Sequence, residues 1–153
     1  MAIEITPAGT HGSRVPTGRT LRVMVAASVA LRRRFRGSGM FGPMSVLNTV
    51  GAKSGQPRAV ALDAFPDGPD RWLVVGLGGG SAKHPAWFVN LARNPDQVSI
   101  EVGDRTVNVT PELLLGPERA EAWQQIIGVS PKFAGYDQKT DRQLPVVRLT
   151  AAS

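Results

Sequence analysis

From residue 45 to residue 114 the chain alternates short apolar runs with tight-turn chemistry, and this rhythm restricts its fold more than any other feature. Residues 45–50 and 58–65 read as strands, the second alternating Val60, Leu62 and Ala64 against Ala59, Ala61 and Asp63. Pro66-Asp67-Gly68-Pro69-Asp70 is a turn, after which residues 71–77 return as a buried strand and complete a hairpin. A second hairpin joins residues 97–102 to 105–114 across Gly103-Asp104, and residues 146–149 supply a last short strand. Two helical stretches lie between and after these strands. Residues 85–93 begin at Pro85 and stop at Asn94-Pro95; residues 118–127 lie between Pro117 and Gly128. The pattern predicts a mainly β fold with α, a small β-barrel carrying its helices outside.

Two polar, glycine-rich segments interrupt the strands where a packed core asks for neither. The first is Thr49-Val50-Gly51-Ala52-Lys53-Ser54-Gly55-Gln56-Pro57-Arg58. The second is Gly78-Gly79-Gly80-Ser81-Ala82-Lys83-His84-Pro85, followed at once by Ala86-Trp87-Phe88-Val89-Asn90-Leu91. Each sets flexible backbone N–H groups beside a cation, which builds a concave anion site without a helix N-terminus. Each also has a plainer reading: an exposed hairpin turn for the first, a loop between strand and helix for the second. No Walker lysine motif, Rossmann fingerprint or Gly-x-Ser-x-Gly elbow is present. The triple glycine is not followed by the long helix of a βαβ unit, which argues against a nicotinamide held in that mode.

At 153 residues the length suits one folded domain, assigned here to residues 37–153, behind a leader of residues 1–36. The absence of cysteine excludes disulfides, thiolate metal sites and cysteine nucleophiles. His11 and His84 are too far apart in sequence to suggest a histidine metal site, and a metal-free protein is expected. The net charge of +6 is a property of the leader: Arg14, Arg19, Arg22, Arg32, Arg33, Arg34 and Arg36 all precede residue 37. From there on, 11 lysines and arginines are about balanced by acids, so no basic face for nucleic acid is expected.

Within the leader, Leu21, Met24, Val25, Ser28 and Leu31 fall on one helical stripe ahead of the arginine cluster. The apolar run is too short to span a membrane, and arginines after it rather than before it argue against an export signal. It reads as a basic amphipathic helix, either lying on an anionic membrane surface or packed on the domain. Residues 1–16, rich in Gly, Pro, Thr and Ser, read as flexible.

The blocks "NTVGAKSGQPR" and "GGGSAKHPAWFVNLARNP", in this order and spacing, resemble the deazaflavin (coenzyme F420)-dependent nitroreductase family of actinobacteria. The resemblance runs from about residue 44 to residue 149. It implies a split β-barrel like that of FMN-binding proteins, with reduced coenzyme F420 as hydride donor to a hydrophobic acceptor such as a quinone, enone or nitro-compound. It further implies that Lys53, Ser54, Gly55, Gln56, Pro57 and Arg58 hold the phosphodiester and anionic tail of the deazaflavin. Gly76, Leu77, Gly79, Gly80, Lys83, Pro85, Trp87 and Asn90 then line its ring and ribityl end. Ala52 stands where many relatives carry arginine, and Leu77-Gly78 stands where they often carry Ser-Lys.

After residue 130, Ser130-Pro131-Lys132-Phe133-Ala134-Gly135-Tyr136 reads as a lid-like loop. The resemblance implies that Phe133 and Tyr136 face the substrate and makes Tyr136 the candidate proton donor. Thr140-Asp141-Arg142 also matches the family, although on its own it reads as part of a solvated loop. His84 reads as structural; Trp72 and Trp123 read as core. Two further readings keep the fold: a flavin- or haem-binding barrel, and a non-catalytic lipid- or fatty-acid-binding one. The protein is expected in the cytoplasm as monomer or dimer, with peripheral contact at the inner membrane face if the leader binds lipid.

Overall fold

The computed structural model describes residues 3–14, 17–35, 44–77 and 82–152. Its elements in chain order are α1 (Gly18–Arg34), β1 (Met44–Val50), β2 (Pro57–Asp63), β3 (Phe65–Pro66), β4 (Arg71–Val75), α2 (Ala86–Arg93), β5 (Ser99–Val102), β6 (Arg105–Leu113), α3 (Gly116–Val129), α4 (Lys132–Asp137) and β7 (Val146–Ala151). The seven strands form one antiparallel sheet in the order β2-β1-β5-β6-β7-β4-β3. The sheet curls until β2 approaches β4, giving the half-barrel expected of a split β-barrel.

Strand alternation sorts the apolar side chains into two cores. On β4, Trp72 and Val74 point into the barrel with Leu47, Trp87, Phe88, Leu91, Ile100 and Leu149. Leu73 and Val75 point outward, where Trp123 and Ile126 of α3 and Phe133 of α4 cover them. β4 is thus buried on both faces, and its C-terminal end emerges between the two cores.

Residues 58–65, expected as one strand folding back on 71–77, divide at Ala64. β2 pairs only with β1, in the register Leu62↔Ser45 to Arg58↔Thr49. β3 pairs with β4, Phe65 opposite Leu73 and Pro66 opposite Trp72. Two cores must be served at once: Val60, Leu62 and Ala64 pack inward, whereas Phe65 is 2% exposed in the outer core, edge-on to Phe133 with ring centroids 5.5 Å apart. The stretch read as a lid-like loop also differs. Residues 132–137 form α4, because Phe133 and Tyr136, one turn apart, can then reach the outer core together.

α1 packs on β1 and β2. Val29 and Arg32 are its buried residues, and the Arg32 Nε donates to the Met44 carbonyl. Arg33 grips Glu101 of β5 with two bonds, Nε to Oε1 at 3.1 Å and NH2 to Oε2 at 2.7 Å. Part of the arginine cluster therefore fastens the helix to the barrel. No helix among the described residues is long and apolar enough to cross a membrane.

Residues 3–14 make contacts that the sequence reading did not anticipate. The Ile3 N–H donates to the Ala92 carbonyl and the Gly9 N–H to the Ala82 carbonyl, at 2.9 and 2.8 Å. Further along, the Asp141 carboxylate accepts from the Thr10 hydroxyl and N–H and from the His11 N–H. Those three donors hold the Asp141 carboxyl down at about 2, with the Thr10 hydroxyl the largest cause.

Candidate functional site

The turn joining β1 to β2 is built by its own residues. The Gly51 N–H donates to the Gln56 carbonyl (2.8 Å) and the Gly55 N–H to the Gly51 carbonyl (3.0 Å). Gly55 adopts φ +69, a left-handed conformation that costs glycine least. The Ser54 hydroxyl accepts from the Gln56 N–H at 3.2 Å and from Arg58 NH2 at 3.3 Å, while Arg58 NH1 donates to the Pro57 carbonyl at 3.0 Å. The Arg58 guanidinium is therefore laid back along the turn. Lys53 is exposed and has no hydrogen bond or ion pair among the described residues. With most of the turn's N–H groups spent inside the protein, the anion-binding capacity lies in its side chains: one cation held in place and one uncommitted on an exposed turn fit a phosphodiester or carboxylate tail.

A second centre forms where β4 ends. The Leu77 N–H donates to the Val75 carbonyl at 2.9 Å, a three-residue turn about Gly76. A Cβ at Gly76 would lie 2.6 Å from Pro145 Cγ and 3.6 Å from Pro85 Cδ, so only glycine lets the three segments meet. Buried Arg142, 2% exposed, fills the angle of this turn. Its NH1 donates to the Gly76 carbonyl (2.9 Å) and to His84 Nδ1 (3.0 Å), and its NH2 donates to the Leu77 carbonyl (2.8 Å). A guanidinium only donates, so His84 Nδ1 accepts and the ring proton sits on Nε2. From there it is given to the Thr6 carbonyl at 2.7 Å. Burial, more than any other cause, pushes the His84 pKa below its ordinary value and keeps the ring neutral.

α2 joins the two centres. At its start, Pro85 touches the Gly76 turn. In its second turn, the buried Asn90 accepts from the Ala52 N–H through Oδ1 at 3.0 Å and donates to the Thr49 hydroxyl through Nδ2 at 3.4 Å. Asn94, just past the helix, donates to the Val50 carbonyl at 3.3 Å. Asn90 thus anchors the cation-bearing turn with both ends of its amide. Trp87, on the same helix, is 8% exposed in the inner core and edge-on to Phe88.

Of the other residues named from the sequence, Gly79 and Gly80 lie outside the described residues. Lys83 is exposed, and Leu77 and Tyr136 both pack on the outer core from its margin. Phe133 is 3% exposed and serves as the buried platform for Tyr136, the rings 6.3 Å apart and nearly perpendicular. Tyr136 itself is half-buried, with the Lys139 ammonium 4.8 Å from its ring centre. Its hydroxyl makes no hydrogen bond among the described residues. The polar run that reads as a solvated loop ends in Arg142, which the sequence reading did not place in the site. Its legible signs are the match of Thr140-Asp141-Arg142 to the family and its place just before the apolar Leu144 and the strand β7.

The model of the family described as F420H(2)-dependent quinone reductase matches residues 17–151. A protein of Mycobacterium tuberculosis called F420H(2)-dependent quinone reductase is 39% identical over 111 residues, 71% of this chain and 73% of its own. A solved structure described as an F420-H2 dependent reductase is 36% identical, with a TM-score of 0.64 over 71% of this chain and 94% of its own. Another, described as a domain-swapped dimer, is 31% identical, with a TM-score of 0.65 over 86% of this chain and 99% of its own.

Proposed function

The chain belongs to the F420H(2)-dependent quinone reductase family, and from that premise we propose which of its residues carry the reaction and what surface it works on. It is an oxidoreductase that transfers a hydride from reduced coenzyme F420 to a quinone. The observation that supports the site assignment is the bracing of two motif segments by one short helix, with Pro85 at the Gly76 turn and Asn90 at the Ala52 turn. Lys53 and Arg58, with Ser54, Gly55, Gln56 and Pro57, bind the anionic end of the cofactor. Gly76, Leu77, Gly79, Gly80, Lys83, Pro85 and Trp87 enclose its ring end, and Asn90 acts by fixing the turn. Bound there, the coenzyme supplies the hydride, which favours two-electron acceptors. Tyr136 gives the reduced acceptor its proton, its hydroxyl being uncommitted among the described residues. Leu77 and Tyr136, both at the margin of the outer core, offer an apolar approach suited to quinones and to enones and nitro-arenes of similar size.

The test is return of oxidised-cofactor absorbance when purified protein and reduced F420 receive a quinone, then an enone, then a nitro-arene. Turnover is expected with the quinone at least, and Tyr136→Phe should lower kcat about 10²-fold, the low end of what a positioned proton donor supplies. Failure with every acceptor would refute the catalytic reading; an unchanged kcat in Tyr136→Phe would remove that residue's role alone.

The outer face of α1 supports a second partner, an anionic membrane surface. Val23, Met24 and Leu31 are 62%, 50% and 48% exposed. At helical spacing they and Ala27 share an arc of about 100° opposite the buried Val29. Arg34 lies within that arc and Arg19 close beside it, both exposed, which suits lipid phosphates at an apolar face. Co-sedimentation with phosphatidylglycerol vesicles, weak with phosphatidylcholine ones and abolished by Met24→Glu with Leu31→Glu, is the expected result. Indifference to vesicles together with a dimer that the same variant dissociates would assign the face to a second copy instead.

A further inference from the structure

We propose that Arg142 is a positioning residue for the reaction, fixing the two stems of the ring-binding segment, Gly76-Leu77 on one side and His84 on the other. The inference rests on the assignment of the ring end of the cofactor to this part of the chain.

Three observations carry it. In a strand, successive carbonyls point to opposite sides, yet those of Gly76 and Leu77 both accept from Arg142, at 2.9 and 2.8 Å. The guanidinium therefore holds a bent strand end from its carbonyl side, while the Gly76 and Leu77 N–H groups donate to the Pro145 and Val75 carbonyls at 2.8 and 2.9 Å. The same NH1 reaches His84 Nδ1 at 3.0 Å, so one side chain ties the residue that precedes Gly78 to His84, two residues ahead of α2. Burying a guanidinium is costly, and a site wanting only filled volume would be served by an apolar side chain. A rigid five-donor fork placed on two adjacent carbonyls and an imidazole is a means of setting geometry.

Supporting contacts converge on it. The Thr140 hydroxyl accepts from the Arg142 N–H at 3.1 Å and donates to the His11 carbonyl at 2.7 Å. The far side of His84 is bound to Thr6. Residues 3–14, Arg142 and the ring-end stems thus form one hydrogen-bonded unit, connected through α2 to the cation-bearing turn that Asn90 anchors. Positioning at the ring end should govern how well the reacting carbon is aimed, while affinity remains the business of the turn.

The test compares wild type, Arg142→Lys, Arg142→Gln and His84→Ala as full chains, in four readouts. Nitrogen NMR of the imidazoles, in a chain with only two histidines, should show His84 as the Nε2–H tautomer in the wild type and a mixture in Arg142→Gln. Hydrogen exchange of the peptide spanning residues 76–84 should quicken in the same variant. Binding of oxidised F420 should change less than threefold, whereas kcat with reduced F420 and a quinone should fall tenfold or more. Arg142→Lys, which keeps the charge but loses the fork, should recover stability more than kcat. His84→Ala, which leaves both carbonyl contacts in place, keeps a folded comparison with a smaller fall. A loss of melting temperature with kcat intact below it, or an unchanged tautomer, overturns the proposal. If the wild type has no turnover, the tautomer and exchange readouts still decide whether Arg142 sets the stems.

Discussion

Lys53→Ala combined with Arg58→Ala weakens binding of oxidised coenzyme F420 by roughly 10- to 100-fold, about 1.4 to 2.8 kcal/mol, with little change in stability. The magnitude follows from where the two cations sit. A charge-assisted hydrogen bond is worth about 1.5–3 kcal/mol when sheltered, but both residues are exposed, and solvent screening cuts each toward about 1 kcal/mol. Arg58 has the larger single effect, because its bonds to Ser54 and Pro57 pre-arrange it and spare the ordering entropy that the unattached Lys53 must lose. The gap between wild type and variant should narrow at high salt, since charges on a surface turn are screened there. Fluorescence titration at low and high ionic strength measures both effects. Equal affinities for the two proteins would move the anion site away from this turn.

Arg33→Ala lowers unfolding free energy by about 3 kcal/mol, whereas Glu101→Gln costs far less, an asymmetry read from which partner is buried. Glu101 is 6% exposed, and its carboxylate accepts from Arg33 and, through Oε2, from the Asn48 amide at 2.9 Å. The Arg33 side chain is 45% exposed. Without the arginine, a buried carboxylate loses its two-bonded cation; without the glutamate's charge, the arginine simply turns to water. Urea unfolding should show a lower midpoint with an unchanged slope for Arg33→Ala, and partial recovery in Arg33→Ala with Glu101→Gln. If the two single variants cost the same, the pair works as a surface contact and not as a buried clasp.

What the sequence disclosed was the part of the fold written in periodicity and turn chemistry. Strands 1, 4, 5, 6 and 7, the Gly103 hairpin and helices 2 and 3 lie within a few residues of where alternation, proline and glycine place them. The division at Ala64 was hidden because residues 59–64 alternate without a break. Only the presence of a second core outside β4, which claims Phe65, forces the chain to change partners. α4 was hidden by its brevity and by Gly135, whose weak helix propensity is overridden once Phe133 docks. In the site, Lys53 and Arg58 were legible because turn residues and cations are local signals. Asn90 was legible as a member of the motif, but its grip on Ala52 joins positions 38 apart and has no local signature. Arg142 lay in a polar run with no period, and its burial is decided by carbonyls more than 60 residues away.

The change of partner at Ala64 also bears on how this sheet avoids sticking to its neighbours. β2 and β3 are the two outermost strands, yet only one residue separates them in the chain. The polypeptide itself is the seam that draws the two margins of the curled sheet together, in the place where a closed barrel would use a ladder of hydrogen bonds. One margin is only two residues long and carries Pro66, which has no N–H to offer an incoming strand. Peeling the sheet open therefore requires strain at a single peptide link, so the molecule gains protection against edge-to-edge aggregation without completing its cylinder and can leave the gap between its margins unladdered.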